Sequence, residues 1–130
     1  MDNAKLQMLK ETAKNIRLGI LEGVHAAASG HPGGSLSIAD IMTYLYFSEM
    51  NVNPADPKNP DRDRLVLSKG HTAPALYATL AERGFFEKEE LQKKTQEESY
   101  VLAEAVSMTE DDIIEYLIST GVEVEEREQY

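Results

Sequence analysis

Leu65-Val66-Leu67-Ser68-Lys69-Gly70-His71 sets a short, unbroken apolar run directly before a glycine and a histidine. Such a run between polar residues fits a strand buried on both faces in a parallel sheet, because a sheet wet on one face alternates polar and apolar side chains. Ala73 to Arg83 then places Leu76, Tyr77 and Leu80 on one side of a helix, and Gly84 supplies the left-handed residue that closes one. Strand, Gly-His, helix is the order in which open α/β sheets collect ligand-binding groups at the carboxyl end of a strand and turn helix N-terminal amides toward phosphate. His71 is therefore a candidate site residue. Capping of its own helix is an equally available structural role.

Upstream, residues 51–64 hold three of the five prolines among charged and amide side chains, which reads as an exposed connection. Ser37 precedes the apolar run Ile38 to Phe47 with Asp40 three residues on, a capping-box-like start for a second helix over 38–49. Ser29-Gly30-His31-Pro32-Gly33-Gly34 reads as a tight loop, since proline disfavours helical geometry before it and glycine lets backbone approach a ligand. There His31 can be presented with little bulk around it, although a surface turn fits the pattern as well. Leu6, Leu9, Ala13, Ile16, Ile20 and Val24 recur at three- and four-residue steps and define a first helix over about 4–27. His25, inside that helix, reads as a packing or surface residue.

The 130 residues suffice for one domain or part of one, and 42% hydrophobic with 28% charged residues is a globular composition. No apolar run approaches the roughly 20 residues of a membrane-spanning helix, and Met1-Asp2-Asn3-Ala4-Lys5 lacks the order of a secretory signal, so a cytoplasmic protein is expected. With no cysteine, disulfides and thiolate chemistry are excluded. Acid–base groups must come from His25, His31, His71 and carboxylates. Residues 1–96 carry twelve basic and twelve acidic side chains, whereas 97–130 carry eleven acids against Arg127, so the whole net charge of −10 falls in the tail. An acidic segment repels phosphate backbones and anionic lipid, which argues against nucleic-acid or membrane partners. Glu87 to Leu91 begins a short exposed helix, Thr109 with Asp112 starts another over 110–118, and Val122-Glu123-Val124-Glu125 alternates like a strand.

Three blocks carry a family resemblance: Ala28-Ser-Gly-His31-Pro-Gly-Gly-Ser-Leu-Ser-Ile-Ala-Asp40; Asn51-Val-Asn-Pro54 with Asp61-Arg-Asp-Arg-Leu-Val-Leu-Ser-Lys-Gly-His71; and Ala75-Leu-Tyr-Ala78 followed by Gly84-Phe-Phe86. In order and spacing they resemble the N-terminal section of the transketolases, over residues 1 to about 94. The resemblance implies transfer of two-carbon ketol units between sugar phosphates with thiamine diphosphate and magnesium, in sites formed between subunits. It assigns His31 to the substrate channel near the reacting carbon, and His71 to the cofactor diphosphate and donor hydroxyls. Both would be catalytic and His71 also cofactor-binding, in keeping with histidine's ability to exchange protons with hydroxyls. The partners implied are a transketolase C-terminal section or a second copy, with a homo-oligomer expected.

Members of the family continue into a second Gly-His-Pro segment and a Gly-Asp-Gly motif with a downstream Asn. Neither follows Thr95 here. Glu110-Asp111-Asp112 is a poor replacement, because acids at a helix start lack the glycines that let amides reach diphosphate. No metal site is expected in this chain alone. The expected fold is α/β: an incomplete thiamine-diphosphate-binding fold, mostly helical, with a short buried strand near 65–68 and a second candidate near 122–125. A lone strand needs a neighbour, which the 122–125 segment, another chain or covering helices would have to provide. Two units are expected, a transketolase-like segment over 1–94 and an acidic helical tail over 95–130. Two functions stay open, a component of a transketolase-like enzyme that needs a partner chain, and a catalytically inactive truncated or fused fragment that serves as a structural or interaction module.

Overall fold

A computed structural model of the chain describes residues 1–28 and 32–92. Its longest element, α1 (Asn3–Ala27), starts where the Asp2 carboxylate accepts the Lys5 amide at 2.7 Å and ends at Ala28, which takes the left-handed conformation at φ 50° and donates its amide to the His25 carbonyl. The expected apolar stripe is the buried one from Leu9 through Ala13 and Ile16 to Ile20, while Leu6 at its outer end stays 42% exposed.

Four further elements follow: α2 (Pro32–Leu36), α3 (Ala39–Tyr44) continued by a π-helical turn over Leu45–Glu49, a 3-10 turn over Gly70–Thr72, and α4 (Ala73–Arg83). The helices expected after Ser37 and over Ala73–Arg83 are thus present, and Gly84 closes α4 at φ 94° with its amide on the Leu80 and Ala81 carbonyls. Among the described residues the regular structure is helical. Residues 65–68 lie outside any ladder or helix, with Leu67 buried and Val66 62% exposed, so this run is not sealed on both faces as the sequence suggested. A ladder needs a neighbour, and the second candidate strand, 122–125, lies outside the described residues, as does the helix expected over 110–118.

Two local expectations are corrected. The Pro32 stretch read as a glycine loop is a short helix, compatible with proline at the first helical position. The Ser37–Asp40 capping box does not form. The Ser37 hydroxyl donates to the Gly34 carbonyl at 2.7 Å, Asp40 pairs with Arg17 at 2.7 Å, and α3 starts without a side-chain cap.

The core lies where α1 and α3 meet α4, centred on Ile16, Ile20, Met42, Leu76 and Tyr77. Buried Thr43 and Thr79 bond the carbonyls four residues back, each at 2.7 Å, which satisfies their hydroxyls without leaving the helix. Residues 90–92 are helical at the edge of the described chain, and Leu91 is buried rather than exposed as the sequence suggested. The reason is Gly19, where a built Cβ would meet Leu91 Cδ2 at 3.1 Å and the rigid Ala78 Cβ at 3.2 Å. Gly19→Val should therefore force α1 from α4 and cost about 1–3 kcal/mol in a urea-unfolding comparison. Glu82 reinforces the same seam, accepting from Asn15 at 2.9 Å and pairing with Lys88.

The π-turn widens the backbone so that Met50 donates to the Leu45 carbonyl at 2.8 Å. Arg83, at the end of α4, takes advantage of this: Nε donates to the Tyr46 carbonyl at 3.1 Å, Nη2 to the Val52 carbonyl at 3.0 Å, and the guanidinium lies over the Phe47 ring at 5.6 Å. Tyr44 donates to Glu49 at 2.7 Å across the turn, and this hydrogen bond, aided by the carboxylate charge, holds the phenol above the usual tyrosine range. The connection over 51–64 is irregular as expected, and is closed at its ends by Asn51 and Asp63, each amide bonding the other residue. Among the described residues no helix is long and apolar enough to cross a membrane.

Candidate functional site

His71 sits in the 3-10 turn that leads into α4, exposed to solvent. Its ring makes no hydrogen bond among the described residues, and Thr72, the residue flanking α4, makes no side-chain cap either. The capping role open to His71 on sequence grounds is thus not the one it plays, and the imidazole faces solvent. His31 lies outside the described residues. His25 is exposed in the last turn of α1, on the surface rather than in the core.

The segment just after His31 in the chain packs directly against His71. Gly34, in α2, has no side chain to hold the two turns apart: a Cβ built there would lie 3.1 Å from Thr72 Cγ2 and 3.3 Å and 3.4 Å from Cδ2 and Nε2 of the His71 ring. That is tighter than ordinary van der Waals contact, so the bare Cα is what lets the turns close. The described end of the first glycine-rich motif, at Gly34, therefore meets the Ser-Lys-Gly-His turn at His71.

Three polar groups with no sequence signature of their own frame this contact. Lys69 Nζ lies 3.4 Å from both the Gly34 carbonyl and the Ser37 hydroxyl. The Lys69 carbonyl accepts from the Thr72 amide at 2.9 Å and its hydroxyl at 2.6 Å, fixing the 3-10 turn. Ser35 is fully buried, and its Oγ has no hydrogen-bond partner among the described residues, a state that costs about 1–3 kcal/mol unless a partner arrives. The only signal for these residues in the sequence is adjacency to the two histidine motifs.

The charge and donor balance here suits an anion. The Lys69 ammonium lies at the Gly34 carbonyl and the His71 ring against the Gly34 α-carbon, and no carboxylate lies within ion-pair distance of Lys69 among the described residues. A metal ion is less well served, since no group of three His, Asp or Glu side chains comes together among the described residues. The open apolar groove between α1 and α3, lined by Leu6, Leu9, Ala13 and Tyr44, is a separate feature that holds no histidine.

Known proteins are similar to this chain. Residues 8–107 match the family model described as transketolase, thiamine diphosphate binding domain. Human transketolase is 50% identical over 90 residues, which are 69% of this chain and 14% of that protein. The 6-deoxy-6-sulfo-D-fructose transketolase subunit of Clostridium sp. (strain MSTE9) is 51% identical over 78 residues, 60% of this chain and 28% of that one. An apulose-4-phosphate transketolase subunit of Phocaeicola vulgatus is 42% identical over 85 residues, 65% of this chain and 30% of that one. The chain thus spans between about one seventh and one third of the length of these relatives. With the family model covering most of its length, the chain belongs to the transketolase family, matched at the thiamine diphosphate binding domain.

Proposed function

We propose that this chain supplies one wall of a thiamine diphosphate site in an enzyme that transfers two-carbon ketol units between sugar phosphates, and that the remaining walls come from the rest of a transketolase or from a second copy. The observation that supports this reading is the close approach of Gly34 to the His71 ring, with the Lys69 ammonium on the same turn. The donors present fit an anionic diphosphate: His71 offers a ring nitrogen unbonded among the described residues, and Lys69 a positive charge with no carboxylate in ion-pair distance among them. They do not fit its magnesium ion, because no acidic or histidine cluster stands among the described residues. Thiamine diphosphate, when bound, supplies the electron sink that carbon–carbon cleavage needs. This chain's own part is binding and proton handling. His71 donates to an anionic oxygen or a sugar hydroxyl, and the bare face of Gly34 admits a ligand close to the backbone. His31 is proposed as the second catalytic histidine, on the substrate side.

Residues 1–94 would form the transketolase-like unit and 95–130 an acidic addition. The concentration of eleven acids against Arg127 beyond residue 96 favours a second reading, a catalytically inactive fragment with a structural or interaction role. A coupled assay of ketol transfer separates the two. The first reading expects turnover when the purified chain is mixed with the remainder of a transketolase, and none from that remainder by itself. Equal turnover of the remainder with and without this chain would leave the inactive fragment as the answer.

A further inference from the structure

Lys69 serves two turns at once. Its carbonyl organises the turn that carries His71, receiving both donors of Thr72, while its ammonium reaches across 35 residues of sequence to the Gly34 carbonyl and the Ser37 hydroxyl. Ser37 donates to that same Gly34 carbonyl at 2.7 Å, so ammonium, hydroxyl and carbonyl form one cluster. An ammonium that is partly withdrawn from water with no carboxylate beside it, among the described residues, loses hydration that a carbonyl and a hydroxyl at 3.4 Å only partly replace. Stability alone gives little reason for a lysine here. The placement of its two ends does, because the element they hold together is the Gly34–His71 contact.

We infer that Lys69 is a positioning residue that clasps the Gly34–Ser37 turn onto the His71 turn and so fixes the His71 ring. Glycine at 34 allows the close approach, and the ammonium maintains it. The consequence for ligand binding rests on the thiamine diphosphate reading above, whereas the clasp itself does not.

The test uses the full chain with Lys69→Met and Lys69→Arg, and reads the clasp without ligand. Amide hydrogen exchange at Ser37, whose N–H bonds the Gly33 carbonyl at 3.0 Å, reports the first turn, and the His71 side-chain resonance at fixed pH reports the second. Lys69→Met should speed exchange at Ser37 by about fivefold to tenfold and shift the His71 resonance, as expected for losing one modest polar contact. Exchange at Ile16 and Ile20 should stay unchanged, which shows that the fold is intact. Lys69→Arg, which keeps the charge and donors, should return both readouts most of the way to wild type. Wild-type exchange and resonance in Lys69→Met would overturn the clasp. Titration with thiamine diphosphate and magnesium, in the presence of the transketolase remainder, separates the two levels. Weaker binding by Lys69→Met together with a loosened turn supports the clasp's role toward the ligand, whereas weaker binding with a wild-type turn assigns the loss to the ammonium's charge and, like equal binding despite a loosened turn, overturns that role. A wild type that binds nothing while Lys69→Met loosens the turn supports the clasp and removes the cofactor reading.

Discussion

Tyr77→Ala is expected to strip about 3–5 kcal/mol from the folding stability of the chain. Tyr77 lies mid-way along α4 with 1% of its surface exposed, packed in the same cluster as Ile16, Ile20 and Leu76, none of which exceeds 1%. Removing a buried aromatic ring costs about 3–5 kcal/mol, because the transfer energy of the ring is lost and the cavity collapses only in part. A small domain holds about 5–15 kcal/mol in all, so this single change consumes a large fraction of it. Circular dichroism at 222 nm against urea would measure the change. Tyr77→Phe serves as the control, since it keeps the ring and removes only the hydroxyl, a change on the order of 1 kcal/mol. A Tyr77→Ala chain within about 1 kcal/mol of wild type would show that α4 is not the centre of the core.

His71→Ala should do the opposite: leave the fold intact and remove ligand affinity. The ring is exposed and unbonded among the described residues, so its loss opens no cavity and strands no buried partner. A hydrogen bond to a charged oxygen contributes about 1.5–3 kcal/mol, so thiamine diphosphate affinity should fall roughly tenfold to a hundredfold in the chain combined with a transketolase remainder. The unfolding midpoint should stay at the wild-type value. Unchanged affinity would take His71 out of the site, and a lowered midpoint would mean that the ring supports the fold instead.

The parts of this molecule that could be read from its sequence are those decided by neighbours in the chain. The stripe from Leu9 to Ile20 and the stop at Gly84 depend on residues three or four apart, and the helices they define are α1 and α4. Reading failed where a distant partner decides. Ser37 and Asp40 carry the spacing of a capping box, but Arg17, 23 residues away, takes Asp40, and the Gly34 carbonyl takes Ser37. Gly33 and Gly34 suggested a loop, yet Pro32–Leu36 winds into a turn of helix, and there Ser35 is fully buried. The Leu65-Val66-Leu67 run has the composition of a sheet-core strand, but composition cannot supply the neighbouring strand that pairing requires. The site divides in the same way. His71 stands out as a candidate in the sequence from Gly-His between an apolar run and a helix, whereas Lys69 is singled out only by contacts 32 and 35 residues away.

Whether this chain forms part of a thiamine diphosphate site is decided by calorimetric titration of the purified chain with thiamine diphosphate and magnesium, alone and together with the remainder of a transketolase. A shared site predicts saturable heat in the combined sample, reduced by His71→Ala. No heat in either sample, with circular dichroism confirming a folded chain, would contradict it.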